Sequence, residues 1–161
     1  MKVGVLSDTH IPYAAPGLPG AVVDIVASMD AVIHAGDFQA VSVLDRLSSL
    51  AELYGVWGNM DPPEVRTRLA QKRILHLGGF TIGVVHGWGA PRGLEDRIAT
   101  AFGDEKTDAI VYGHSHAPCN RVINGTLFFN PGSPTDKRFA AHRTMGILTL
   151  GERITGEIVL L

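Results

Sequence analysis

Seven side chains that bind metal ions well are spread along this chain, each just past the end of a short apolar run. Asp8 and His10 follow residues 3–6, Asp37 follows 31–33, Asn59 follows 53–57, His86 follows 81–85, and His114 and His116 follow 109–112. Carboxylates, imidazoles and an amide make a ligand set of intermediate hardness, better suited to Mn²⁺, Fe, Zn²⁺, Co²⁺ or Ni²⁺ than to Ca²⁺ or Cu(I). Asp8 and His10 are two residues apart, as are His114 and His116. In an extended chain such a pair projects to one side and could grip one cation together. Gly36, Gly58 and Gly113 precede ligands and Gly87 follows one, allowing the sharp departures and close approaches that a crowded rim needs. Singly, each residue has an ordinary explanation: Asp8 or Asp37 as a cap or turn acid, Asn59 as a turn residue, His86 as a hydrogen-bonded rim histidine. Only a shared centre accounts for all the strand ends at once.

The runs that carry these residues are short and β-branched, the pattern of buried strands. Ligands of α/β sheets gather beyond the carboxyl ends of the strands, so strands lying side by side would bring the candidates to one rim. Helical spacing at 18–28, 41–50 and 64–70 alternates with the early strands and predicts βαβ units with a largely parallel sheet. The second half changes character. Gly78-Gly79 separates runs at 74–77 and 80–85, Asn124-Gly125 separates 121–123 from 126–129, and Gly151-Glu152 separates 145–150 from 154–161. These are hairpin patterns, and Asn-Gly is a strong tight-turn signal. Residues 93–102 form the last expected helix. The economical architecture is mixed α/β: two mixed sheets packed face to face with helices outside.

At 161 residues the chain fits a single domain over 1–161 with a core of its own. A net charge of −2 with mixed signs gives no basic stripe, so no extended nucleic acid is expected as a partner. No run is long enough for a membrane span. The lone Cys119 excludes an internal disulfide. With strand-like sequence beginning at once and no leader pattern, cytoplasm is the expected compartment.

Taken in order, Asp8-Thr9-His10, Gly36-Asp37, Gly58-Asn59, His86 and Gly113-His114-Ser115-His116, closed by Asn130-Pro131-Gly132-Ser133, resemble the calcineurin-like metallophosphoesterases. The small bacterial and archaeal phosphodiesterase branch is the nearest match, and the resemblance covers nearly the whole chain. It implies a four-layer αββα sandwich and two divalent metal ions, manganese first, with iron, zinc, nickel or cobalt as alternatives. It places Asp8, His10 and His116 on one metal, Asn59, His86 and His114 on the other, and Asp37 between them. The implied reaction is hydrolysis of a small phosphodiester or nucleotide-like substrate by a metal-bridging hydroxide, with Asp37, Asn59 and His86 in the catalytic set. Charge agrees: two divalent cations against two carboxylates leave about +2, or about +1 with a bridging hydroxide, which attracts a phosphoryl group.

One position departs from the pattern. Many phosphatases of the superfamily carry histidine directly after the asparagine, and the small phosphodiesterases typically carry cysteine; here it is Met60. Without an acid at that position a poor alkoxide is hard to expel, which favours activated or aryl esters, or a leaving oxygen protonated by water or another group; the resemblance also implies diesters rather than monoesters. Ser133, Asn59 and Arg138 are the candidates for substrate contact, with Arg92 as a second steering cation and Trp88 as a stacking or packing residue. His34 and His76 fall within strand patterns, His142 lies in a loop, and Cys119 fits a strand. Two alternatives stand beside the diesterase: a phosphomonoesterase, and a non-catalytic scaffold like the eukaryotic retromer subunit of similar fold. Self-association through the apolar strand at 154–161 is a further expectation.

Overall fold

The computed structural model describes residues 1–161. The first half runs β1 (Lys2–Leu6), α1 (Gly20–Ala27), β2 (Ala31–His34), α2 (Val41–Ser48), β3 (Glu52–Gly55), α3 (Pro63–Arg66), β4 (Lys72–Leu77) and β5 (Phe80–Val85). It continues through α4 (Leu94–Phe102), β6 (Ala109–Val111), β7 (Cys119–Ile123), β8 (Thr126–Asn130), β9 (Thr144–Leu150) and β10 (Ile154–Leu160). One sheet has the order β10-β9-β1-β2-β3 and the other β4-β5-β6-β8-β7. β1, β2 and β3 pair in parallel, as do β5, β6 and β8, while β9, β10, β4 and β7 run antiparallel to their neighbours.

Period-two alternation sorts each strand between two apolar layers. Val3, Val5 and Ile33 of the first sheet meet Ile82, Val84, Val111 and Phe129 of the second in a cluster of 15 buried residues. The alternate residues Leu6 and Val32 face outward onto Val22 and Val26 of α1 and Val43 and Leu47 of α2. On the far side Val85, Ile110 and Phe128 face Leu94, Ile98 and Phe102 of α4. Helices, sheet, sheet and helix thus form four layers with three apolar seams, the expected αββα sandwich. Each fully buried aliphatic side chain contributes roughly 1.5–3 kcal/mol, and a one-residue slip would turn the whole inner set outward, so the register that places the strand ends is firmly fixed.

The five strands that carry the candidate ligands do not share a rim. β1, β2 and β3 belong to one sheet and β5 and β6 to the other, so the ligands reach the site from two facing rims. The hairpin turns form as expected, with Asn124 and Gly125 at φ 50° and 86°, and Gly78 and Gly79 at 56° and 85°. The expected helix at 64–70 shrinks to the single turn α3. Arg66 reaches back to the carbonyls of Asp61 and Asn59, and Ala70 is drawn into a parallel bridge with Val56, so tertiary pairing overrides the helical spacing. β10 lies at a sheet edge, and no helix is long and apolar enough to cross a membrane.

Candidate metal centre

The chain leaves β1, β2 and β6 in left-handed turns. Asp8, His10, Asp37, Gln39, His114 and His116 all have positive φ, between 45° and 70°, and the only other non-glycine residue that does is Asn124 in its hairpin. Such backbone is costly for residues with a side chain and collects at functional sites. Here cross-loop hydrogen bonds hold it. The Asp8 and His10 N–H groups donate to the carbonyls of Gly36 and Asp37 at 2.9 and 3.0 Å, and Gly113 N–H donates to His86 at 3.1 Å. The His114 N–H crosses between the sheets to Asp8 Oδ2 at 3.0 Å.

This backbone corrects the pairwise reading of the sequence. Asp8 and His10 do come together, but through left-handed residues rather than extended chain. His114 and His116 separate. His116 Nε2 lies 3.4 Å from Asp8 Oδ1 and 3.1 Å from His10 Nε2, whereas His114 Nδ1 lies 3.0 Å from Asn59 Oδ1. His86 Nε2 joins the second set, 3.1 Å from Asn59 Oδ1 and 3.3 Å from Asp37 Oδ2. Both carboxylates lie among the imidazoles: Asp37 Oδ2 is also 3.7 Å from His10 Nε2, and Asp8 Oδ1 is 3.7 Å from His10 Nε2 and 3.9 Å from His86 Nε2.

The ring protons are fixed from outside. His86 Nδ1 donates to the Ala35 carbonyl and His114 Nε2 to the Gly89 carbonyl, both at 2.7 Å. Each ring therefore presents its other nitrogen inward, the arrangement by which backbone carbonyls orient histidine ligands. The Gln39 amide lies 2.6 Å from His10 Nδ1. Asp8 Oδ1 is buried with no hydrogen-bond partner, a costly state for a carboxylate oxygen unless a cation completes it. Asp8, His10 and His116 form one group able to hold a metal, and Asp8, Asp37 and His86 a second. Asn59 is exposed and His114 half-buried, so the cluster opens to solvent at their end, into a cavity of about 830 Å³.

Residues 1–153 match the family model described as the calcineurin-like phosphoesterase superfamily domain. The chain belongs to this superfamily. A probable metallophosphoesterase of Methanothermobacter thermautotrophicus is 33% identical over 159 residues, 99% of this chain and 92% of the relative. The phosphodiesterase MJ0936 of Methanocaldococcus jannaschii is 25% identical over 173 residues, covering 99% of both chains. The structure of Vacuolar Protein Sorting 29 from Cryptosporidium parvum superposes with a TM-score of 0.83 at 24% identity, over 99% of this chain and 91% of that one, a likeness of fold. Relatives of this superfamily are metallophosphoesterases, in keeping with the ligand groups found here.

Within this calcineurin-like frame, several supporting residues went unrecognised in the sequence. Asp61 is 2% exposed, and its carboxylate accepts from the N–H groups of Asp37, Gln39 and Gly58 at 3.0, 2.7 and 2.8 Å. Two residues after Asn59 and just before Pro62-Pro63, it stands where acids are commonplace in turns, and nothing in its local sequence sets it apart. Asp136 stands 3.4 Å from His116 Nδ1 and is clasped by Arg138, whose Nε lies 2.7 Å away; nothing in its local sequence marks it. His34 is a core residue, stacked on Phe38 with ring centroids 3.6 Å apart. Its nitrogens engage Gly36 N–H and the Thr9 hydroxyl, both at 3.2 Å. Gly58 and Gly113 make close approaches: a Cβ at either would collide with Asp37 or with Ser7 and Asp8 respectively.

Other expectations fall differently. Ser133 is 1% exposed and absent from the cavity wall; its hydroxyl donates to the Asp8 carbonyl at 2.7 Å, so it braces the ligand loop where substrate contact was expected. Arg138 does line the cavity, although its guanidinium is committed to Asp136. Trp88, Arg92 and His142 are exposed and none lines that cavity, and His76 is an exposed strand residue. Cys119 is half-buried in β7.

Buried carboxylates and imidazoles shift one another. Burial alone would raise Asp8, but the imidazoles of His10 and His116 close beside it and the charge of His86 outweigh it and hold the carboxyl well below its usual range. Burial pulls His86 down, yet Asp37 and Asp8 carry it up to about 9. His116 is likewise raised, burial being outweighed by Asp8 and Asp136. His34, with burial dominant, falls to about 3 and stays neutral. In the metal-free protein His86 is therefore protonated at neutral pH, and its proton occupies the place of cation charge. Its contribution to stability is complete below the unfolded value of 6.5 and is lost as pH rises through about 9. Metal affinity runs the other way, since a cation must displace that proton. Titrating Mn²⁺ at pH 7.5 by calorimetry in buffers of different ionisation enthalpy should register release of at least about one proton, with affinity climbing until about pH 9. Proton-neutral binding would contradict the assignment.

Proposed function

We propose that this calcineurin-like phosphoesterase is a dimetal phosphodiesterase. Asp8, His10 and His116 hold one divalent cation, Asn59, His86 and His114 hold the other, and Asp37 lies between them. One observation carries this reading above the rest: the buried, partnerless Asp8 Oδ1 is faced by imidazole Nε2 atoms of His116, His10 and His86 at 3.4, 3.7 and 3.9 Å. That donor set fits an ion such as Mn²⁺, with Fe, Zn²⁺, Ni²⁺ or Co²⁺ as alternatives. When bound, the two cations supply an activated water and Lewis acidity toward the phosphoryl oxygens.

The chain's own residues position and select. Asn59 turns its amide oxygen toward His86 and His114, which leaves its NH₂ to donate to a phosphoryl oxygen at the open end. Asp37 keeps one carboxylate oxygen on the Met60 N–H at 2.7 Å and aims the other at His86 and His10. The Met60 side chain, 56% exposed, brings a thioether that cannot protonate a leaving group. Arg138, paired with Asp136, offers little free charge to a second phosphate negative charge. Both features favour a monoanionic diester with a leaving group that departs without help. The full-length relationship to the phosphodiesterase MJ0936 supports the same choice. We place the activity in a reducing, cytoplasmic setting, consistent with the single Cys119.

The direct test compares metal-loaded protein on matched p-nitrophenyl diesters and monoesters. We expect kcat/KM to favour the diester by at least about tenfold, a transition-state difference of about 1.4 kcal/mol. A monoester preference would make the protein a phosphomonoesterase. Absence of hydrolysis with every metal, together with a stable protein partner, would make it a scaffold.

A further inference from the structure

Eight large apolar side chains are exposed on this molecule, and three of them, Tyr13, Met60 and Phe139, line the cavity that opens over the histidine and carboxylate cluster. They are 83%, 56% and 67% exposed and come from three separate connections, after β1, after β3 and between β8 and β9. Each is anchored to the cluster. The turn carrying Tyr13 is closed by Ala14 N–H donating to the His10 carbonyl at 2.7 Å. Met60 N–H is held by Asp37. The Phe139 ring meets His116 edge-on, with centroids 5.5 Å apart, and the Arg138 guanidinium lies 5.8 Å from its own centroid. Exposed apolar side chains gathered on the wall of a polar site mark a ligand surface rather than random surface composition.

The cavity, about 830 Å³, lies within the roughly 300–1,000 Å³ range of pockets that enclose whole small molecules. A bare phosphoryl group would leave most of it empty. Its only lysine or arginine is Arg138, which Asp136 already neutralises, so the part away from the histidine cluster is not built for more charge. A flat ring suits it better: it can stack on Tyr13 or Phe139 and rest against the polarisable sulfur of Met60.

Resting on the diesterase reading, we propose that Tyr13, Met60 and Phe139 form a collar that selects phosphodiesters whose retained ester arm carries a planar aromatic ring, an aryl group or a nucleobase. The collar acts on the arm that stays with the phosphate, and is distinct from the group that departs.

Three diesters sharing a p-nitrophenyl leaving group test this: methyl, phenyl and thymidine 5′ p-nitrophenyl phosphate. Wild-type kcat/KM should be roughly tenfold or more higher for an aromatic arm than for methyl, as expected of a stacking contact. Higher kcat/KM for phenyl and thymidine alike assigns the preference to any flat ring, and a rise for thymidine only assigns it to a nucleobase. Tyr13→Ser and Phe139→Ser, both at exposed positions that the fold tolerates, should bring the ratio toward one, and Tyr13→Phe and Phe139→Tyr should keep it. Binding supplies a readout independent of turnover. Metal-loaded protein should bind methyl phenylphosphonate, whose ring is held by a P–C bond and so belongs to the retained arm, roughly tenfold more tightly than methyl methylphosphonate, and the two serine variants should lose that difference. If no diester is hydrolysed but the binding difference and its loss persist, the collar stands and the catalytic reading falls. Equal affinities for the two phosphonates, or a ratio indifferent to Tyr13 and Phe139, overturn the collar even if hydrolysis is brisk.

Discussion

Asp37→Asn should lower kcat/KM toward a phosphodiester by on the order of 10³-fold, more than the roughly 10–100-fold typical of residues that merely orient ligands. The substitution is nearly isosteric. An asparagine oxygen can still accept the Met60 N–H that Asp37 Oδ1 takes at 2.7 Å, and the loop's own N–H at 37 still has Asp61. What disappears is the negative charge facing His86 at 3.3 Å and His10 at 3.7 Å, the charge best placed to act on both halves of the cluster. The variant should therefore keep its circular dichroism spectrum while binding fewer than two equivalents of Mn²⁺ by elemental analysis. Retention of more than about a tenth of wild-type kcat/KM would remove Asp37 from the position between the cations.

Asp61→Ala should do the reverse, striking the fold first and the chemistry through it. Its carboxylate satisfies three N–H groups from two loops, and truncation strands buried donors at roughly 1–3 kcal/mol each, less whatever water can recover. A net loss of about 3 kcal/mol is expected, which for a chain of this size lowers Tm by roughly 6–12 °C. Burial dominates this carboxyl and raises its pKa despite the three donors, so the ionised group is itself held at some cost and the donors are what justify it. Because Asp37 and Gly58 both hang on Asp61, activity should fall by roughly 10–100-fold as well. Asp61→Asn, with one oxygen in place of two, should land between. An unchanged melting temperature in Asp61→Ala would mean that the turn finds other partners and that Asp61 does not hold the site.

The contrast between these two aspartates also separates what could be read along the chain from what could not. Asp37 was legible because it ends an apolar run, follows a glycine, and belongs to a series of such endings. Asp61 has the same side chain but stands in a turn beside prolines, where acids are commonplace. Its importance lies in donors at Gln39 and Asp37, more than twenty residues away in sequence. Asp136 was invisible for the same reason, being linked to His116 across a connection with no periodic signal. Ser133 stands in a motif that marks a turn near the site, but that motif does not reveal that the hydroxyl points to the Asp8 backbone.

By itself the sequence determined the superfamily, the types of the candidate ligands and the building blocks. Ligand types follow from residue identity, strands and hairpins follow from period-two patterns and from pairs such as Asn124-Gly125, and these are local properties that composition and spacing encode directly. Tertiary structure alone decided that the strands carrying the candidate ligands divide between two sheets, that Asp8 and His10 meet through left-handed residues, and that residues 64–70 surrender most of a helix to a bridge with Val56. It also decided which exposed side chains meet over the cluster. Those outcomes depend on long-range burial and on left-handed turns held by hydrogen bonds between loops, and such energies belong to the packed molecule rather than to any stretch of chain.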